Sequence, residues 1–198
     1  MNGAVDRSRQ EQALQHIVGE VSYETACVRL GLSADWRDPI FGRTDLERLA
    51  IWIYTTPNDW HRQINESLWR RSPPGDYAIF AQILNDALRK LPSVARTVYR
   101  GWQSNSLDEF LRTYQVGRVF DWPGFTSITR SAEKAYIGNV LFRIRSLSGR
   151  SMHGVGAEES EEEVLFMAAT RFVVSEISVR GDGVVLVDLA EVDTGEAR

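Results

Sequence analysis

A chain of 198 residues with 43% hydrophobic composition is long enough to bury a sizeable core, in one compact domain or in a domain with a smaller subdomain. Six Trp, six Tyr and eight Phe exclude a disordered chain, whose apolar surface would be too small to offset the entropy of ordering. A net charge of -4 gives no global reason to expect nucleic acid or an anionic membrane as a partner, and the single cysteine, Cys27, excludes an internal disulfide.

The N-terminal stretch MNGAVDRSRQEQ lacks the apolar core of a secretory signal, and no run approaches the roughly 18 apolar residues of a membrane span. The chain therefore reads as soluble, suited to the cytoplasm or to delivery into a target cell by a specialised secretion route. Up to about residue 95 the apolar residues recur at helical spacing: Ala13, Ile17 and Val18, then Leu46, Leu49, Ala50 and Ile53, then Tyr77, Phe80, Ala81, Leu84 and Leu88. Ser33, Thr44 and Asn58 are expected N-caps, Gly31 a helix end, and SPPG at 72–75 a breaker before a helix over 76–90. The stretch VSYETACVRLGLS at 21–33 has the Ala, Gly and Ser spacing of a helix-turn-helix. Its would-be recognition helix reads ADWRDP, however, where Pro39 stops it early and two aspartates oppose phosphate, so a structural helix pair is expected instead.

From Thr97 onward the pattern changes to short β-branched and aromatic runs: TVYRGW, GRVFDW, GFTSIT, NVLFRIRS, EVLFMA, RFVVSEISV and GVVLVDLAEV. Helices first and strands afterwards predict an α+β fold with an antiparallel or mixed sheet.

Three places in the strand-rich half could carry chemistry. Arg100 in TVYRGW shares a strand face with Val98, so it needs an anion or a snorkelling path to solvent. In GFTSIT, Ser127 and Thr129 project to one side and Thr126 and Ile128 to the other, which suits hydroxyls that orient a ligand or a carboxylate and equally suits an ordinary strand. In GAEESEEEVLF a strand that begins early sets Glu161 and Glu163 on one face, roughly 6 to 7 Å apart, with Glu162 pointing away. Two carboxylates so placed can divide the stabilisation of positive charge from the acceptance of a proton, while a purely solvated acidic run is the alternative. His16, His61 and His153 are scattered without the spacing of metal ligands, and no metal is expected.

The order YRG at 99–101, FTSIT at 125–129 and EEEVL at 161–165 resembles the mono-ADP-ribosyltransferase family of bacterial exotoxins and arginine-specific ecto-enzymes. That family carries an aromatic-Arg-Gly strand, a Phe-x-Ser-Thr-Ser strand, and Glu-x-Glu followed by Val-Leu or Ile-Leu. YTT at 54–56, Ile64 with Asn65, and ALRKLPSVARTVYRG extend the likeness, and SGRSMHG resembles the start of the substrate-recognition loop. The resemblance implies a mixed, mostly antiparallel β-sandwich of two small sheets around an NAD-binding cleft. Residues 45–198 would form the catalytic domain, helical over 45–95 and strand-rich over 96–192, with 1–44 as a helical extension. It further implies NAD as substrate, bound through Arg100, Gly101, Ser127, Thr129 and Glu163.

By the family pattern, Arg100 holds the pyrophosphate, Glu163 stabilises the cationic ribose with support from Ser127, and Glu161 faces the acceptor. Glu at that last position goes with arginine as acceptor. The implied partner is a target protein with an accessible arginine, alongside a neutralising immunity protein in the producing cell; neither membrane nor nucleic acid is implied. Ile128 replaces the middle hydroxyl of Ser-Thr-Ser. The loop 150–160 lacks the aromatic residue often used to grip a protein target, and Gly156 sits where a serine is common. An NAD glycohydrolase using water, transfer to a nucleic acid or small molecule, and a non-enzymatic DNA-binding module are the alternatives. The charges of Glu158, Glu159 and Glu162 are expected to be solvated.

Overall fold

The computed structural model describes residues 6–70, 73–135, 137–157 and 162–193. The chain divides into two compact units, Met1–Leu91 with His153–Ser160, and Pro92–Met152 with Glu161–Arg198.

The first unit is built from helices α1 (Arg7–Val18), α2 (Glu20–Leu30), α3 (Asp45–Thr55), α4 (Trp60–Leu68) and α5 (Gly75–Arg89). Their ends follow local chemistry. Asp6 caps α1 by accepting from Arg9 N, and α3 starts on a full capping box in which Thr44 and Glu47 satisfy each other's backbone N–H. Gly31 ends α2 in the left-handed region at φ 60°, donating to Cys27 O and Val28 O. The helical spacing converges on a core: Ala13 and Leu14 of α1, Leu49 and Ile53 of α3, and Phe80, Leu84 and Leu88 of α5 are fully inaccessible.

Two expectations fail here. Ser33 caps no helix, because Asp38 accepts from Ile40 N and Phe41 N and folds residues 38–42 into a turn that Pro39 already favours. The second helix of the expected structural pair is thus missing, and 34–43 forms turns closed by the bridge Arg37–Thr44. Asn58 does accept from Trp60 N, but Asp59 is the residue immediately before α4.

The second unit holds β1 (Thr97–Trp102), α6 (Leu107–Thr113), β2 (Val119–Trp122), β3 (Thr126–Thr129), a 3-10 turn (Ala132–Lys134), β4 (Val140–Arg145), β5 (Arg150–Ser151), β6 (Glu163–Phe166), β7 (Thr170–Val179) and β8 (Val185–Glu191). The strands run in the order β2-β7-β8-β4-β1-β3-β6-β5; β4 and β8 are parallel and the other neighbours antiparallel. The α+β class and the mixed, mostly antiparallel sheet are as expected. The division into two sheets is not: one hydrogen-bonded series of eight strands links them all. Its thinnest joint is β1–β3, where Tyr99 and Thr129 form the one register pair.

Aromatic rings fill the middle of this unit. Phe172 lies 4.7 Å from Trp122 and 5.0 Å from Phe166 by ring centroids, and Trp122 meets Phe142 edge-on at 5.5 Å. Gly138 is required by space: a Cβ there would run into the Trp102 carbonyl. Helix α6 escaped the periodicity reading because seven residues give too few turns for an apolar stripe. Its signal is the cap, Ser106 Oγ accepting from Glu109 N at 3.3 Å.

Candidate active site

Strand alternation builds the site. On β3, Thr126 and Ile128 are buried, leaving Ser127 exposed and Thr129 half-buried on the other face. β3 pairs with β6 in the register Ser127–Leu165 and Thr129–Glu163, which sets Ser127 diagonally across from Glu163 on one face. Val164 and Phe166 point into the core and fix β6 in place. Ser127 Oγ donates to Glu163 Oε1 at 2.6 Å, within the short range of hydroxyl–carboxylate bonds.

Arg100 reaches this pair through the backbone. Its Nη1 donates to the Ser127 carbonyl at 2.6 Å, bridging β1 to β3 where their ladder is thinnest. Arg100 and Trp102 share a face by the two-residue period, and the Arg100 Cζ lies 5.9 Å from the Trp102 ring centroid. The positive charge is felt deeper in the core. Burial pushes the Tyr114 hydroxyl up, and the Trp122 hydrogen bond and Arg100 oppose that rise.

The other expected residues divide. Gly101 sits in β1 opposite Leu141. Thr129 is paired with both Tyr99 and Glu163, but its hydroxyl accepts from Ser131 N at 3.3 Å and so holds the turn after β3. Glu158, Glu159 and Glu161 lie outside the described residues. Glu162 is not the solvated charge expected of it: Lys134 Nζ bonds its Oε1 at 2.9 Å, its carbonyl accepts from Arg130 N at 3.1 Å, and its Oε2 is buried without a partner among the described residues.

The segment entering the loop is pinned beside Glu163, since Met152 N donates to Glu163 O at 3.0 Å and Arg130 Nη2 to Ser151 Oγ at 2.7 Å. Sequence reading missed Lys134, Arg130 and Trp102. Only Trp102 carried a signal, its position two residues after Arg100 in a strand. Lys134 and Glu162 are 28 positions apart, and no local pattern pairs them. In the helical unit, Asn65 Nδ2 donates to Tyr54 Oη at 3.0 Å, joining two residues of the YTT and IN stretches.

A carboxylate oriented by a hydroxyl can meet positive charge that develops next to it, and a guanidinium on the adjoining strand can bind an anion. Comparisons with known proteins identify the family of the chain. The family model described as NAD:arginine ADP-ribosyltransferase matches residues 8–195. Tre1 of Serratia proteamaculans (strain 568), an NAD(+)–protein-arginine ADP-ribosyltransferase, is 31% identical over 140 residues, 70% of this chain and 30% of Tre1. Vis of Vibrio splendidus (strain 12B01) is 30% identical over 146 residues, 67% of this chain and 57% of Vis. The chain thus spans less than two thirds of either relative, about a third of Tre1 and just over half of Vis. The type III effector XopAI of Xanthomonas axonopodis pv. citri shares the fold, with TM-score 0.73 at 20% identity over 94% of this chain and 87% of that one. The chain belongs to the NAD:arginine ADP-ribosyltransferase family.

Proposed function

We propose that this chain cleaves NAD at the nicotinamide–ribose bond and transfers ADP-ribose to an arginine of a target protein. The observation that carries the reading is the connected set Arg100, Ser127 and Glu163: guanidinium to backbone carbonyl, hydroxyl to carboxylate, each at 2.6 Å. NAD presents a pyrophosphate for the Arg100 guanidinium, whose N–H groups match its oxygens. As the glycosidic bond breaks, its electron pair leaves with nicotinamide and the ribose becomes an oxocarbenium-like cation. Glu163, held by Ser127, offers that cation a carboxylate whose position is set before reaction, so no reorganisation is needed.

The acceptor guanidinium nitrogen then forms the new bond to the ribose anomeric carbon and gives up a proton. Glu161 is the assigned base, on the family resemblance. Support for NAD comes from exoenzyme S of Pseudomonas aeruginosa, which shares the fold and was solved with carba-NAD. Support for an arginine-like acceptor comes from Vis, solved in complex with agmatine, itself a guanidino compound.

An effector role in a target cell, opposed by an immunity protein in the producing cell, completes the proposal. Incubation of the protein with labelled NAD and a cell lysate, followed by mass-spectrometric mapping, is expected to find ADP-ribose on arginine. Label found only on another residue type would overturn the acceptor assignment.

A further inference from the structure

The helical unit contains a cavity of about 310 Å³ that lies apart from Arg100, Ser127 and Glu163 in sequence and takes Gly154, Val155 and Gly156 of the loop 150–160 into its wall. Its wall includes Trp36, Ile40, Phe41, Trp52, Arg43 and Arg48. A cavity of this size with a largely apolar lining that includes three aromatic rings, and a few charged groups, has the build of a small-ligand site.

The polar groups converge on one sign of charge. Arg48 lies over Trp36, its Cζ 4.8 Å from the ring centroid, and one of its N–H groups, on Nη1, is occupied by the Leu30 carbonyl at 3.1 Å. Among the described residues its other N–H groups have no hydrogen bond. Arg43 is only 6% exposed, and its Nη1 is buried without a partner among the described residues. Asp38, also in the wall, does not neutralise both cations: it is bonded to Ile40 N, Phe41 N and the Nε side of Arg43. An unsatisfied guanidinium N–H in a buried wall is costly, so it marks a place where an acceptor oxygen belongs.

We propose that this cavity binds an apolar carboxylate, with an aromatic or branched body against Trp36, Phe41 and Trp52 and the carboxylate on the free N–H groups of Arg48 and Arg43. Ile40, 79% exposed, sits at the cavity rim and adds apolar surface for the same body. The carboxylate can come from a free small acid or from the C-terminus of a peptide, and the two sources are separable by experiment.

Calorimetric titration of the whole chain uses indole-3-acetate against indole-3-acetamide, and a pentapeptide ending in phenylalanine as free acid against its amide. At least one acid is expected to bind about tenfold more tightly than its amide, the margin of a charge-assisted hydrogen bond. Binding of the peptide acid alone assigns the source to a chain terminus; binding of indole-3-acetate assigns it to a small acid. Arg48→Met, which keeps the apolar stem over Trp36, is expected to weaken the preference for acid over amide. Trp36→Leu, which leaves both guanidinium groups, is expected to weaken acid and amide alike. Absence of binding by both acids, equal binding of acids and amides, or an acid preference that Arg48→Met leaves undiminished overturns the proposal.

Discussion

Ser127 and Glu163 lie 36 residues apart in the chain and diagonally across the β3–β6 ladder, where the serine hydroxyl donates to the carboxylate at 2.6 Å. The bond depends on register: a one-residue slip of β6 would turn Glu163 to the opposite face and bring Val164 out of the core. Burial of Val164 and Phe166 therefore positions the carboxylate as surely as the serine does.

Replacing Ser127 by Ala should leave the fold intact, since the residue is exposed, while the carboxylate loses its orienting donor. Nicotinamide release is expected to fall about 10- to 100-fold in kcat, the span of one hydrogen bond to a charged group. A steady-state assay of Ser127→Ala checks this, and an unchanged kcat would show that Glu163 orients itself.

Arg100→Lys tests geometry against charge. A lysine keeps the positive charge but loses the fork that can hold the Ser127 carbonyl and a pyrophosphate together. The expected result is a KM for NAD raised about tenfold or more, at constant thermal stability; a KM within twofold of wild type would remove Arg100 from NAD binding.

The Lys134–Glu162 pair tethers the residue just before Glu163 to the 3-10 turn. Lys134 is 65% exposed, so the pair should contribute on the order of 0.5 kcal/mol, less in high salt. A double-mutant cycle with Lys134→Met and Glu162→Gln, read by urea unfolding, measures the coupling; zero coupling at low salt would contradict the tether.

Asp38 gives the helical unit a pH-dependent contribution. Burial alone would raise this carboxyl, but the N–H bonds from Ile40 and Phe41 and the Arg43 guanidinium outweigh it and hold the group below its ordinary 3.8. A depressed pKa contributes stability that is fully present above 3.8 and is lost as pH falls through the lower folded value. The gap between the melting temperatures of wild type and Asp38→Asn should therefore be full above 3.8 and close as pH falls through the lower folded value. A constant gap at every pH would contradict the assignment.

Gly138→Ala should destabilise the protein by about 1–3 kcal/mol, because the added methyl meets rigid backbone at Trp102 and cannot be relieved by a side-chain rotation. Chemical denaturation measures it. A neutral result would mean the β1 end and the β4 approach shift freely.

Much of this is legible in the sequence. The helical spacing of Leu49, Ile53, Phe80 and Leu84 named core residues, and the alternation in FTSIT put Ser127 and Thr129 on the right face. The three motifs, each ordinary alone, placed Arg100, Ser127 and Glu163 on neighbouring strands of one order.

What stayed hidden depends on contacts distant in sequence or on very short elements. The Thr129 hydroxyl looked like a ligand group but closes a turn on Ser131, and Glu162 looked solvated but finds Lys134. Strand β5 is two residues long, too brief to show any period. The single continuous sheet turns on one register pair, Tyr99–Thr129, and no sequence pattern distinguishes that joint from a break.

The central claim is that Glu163 supplies the charge that lets the glycosidic bond of NAD break. The most direct measurement is the rate of nicotinamide release by wild type and by Glu163→Gln, with circular dichroism to confirm equal folding. The account predicts release by the wild type and a loss of about 10²–10³-fold or more in the variant, the scale of one positioned electrostatic group. Equal rates for the two proteins would contradict it.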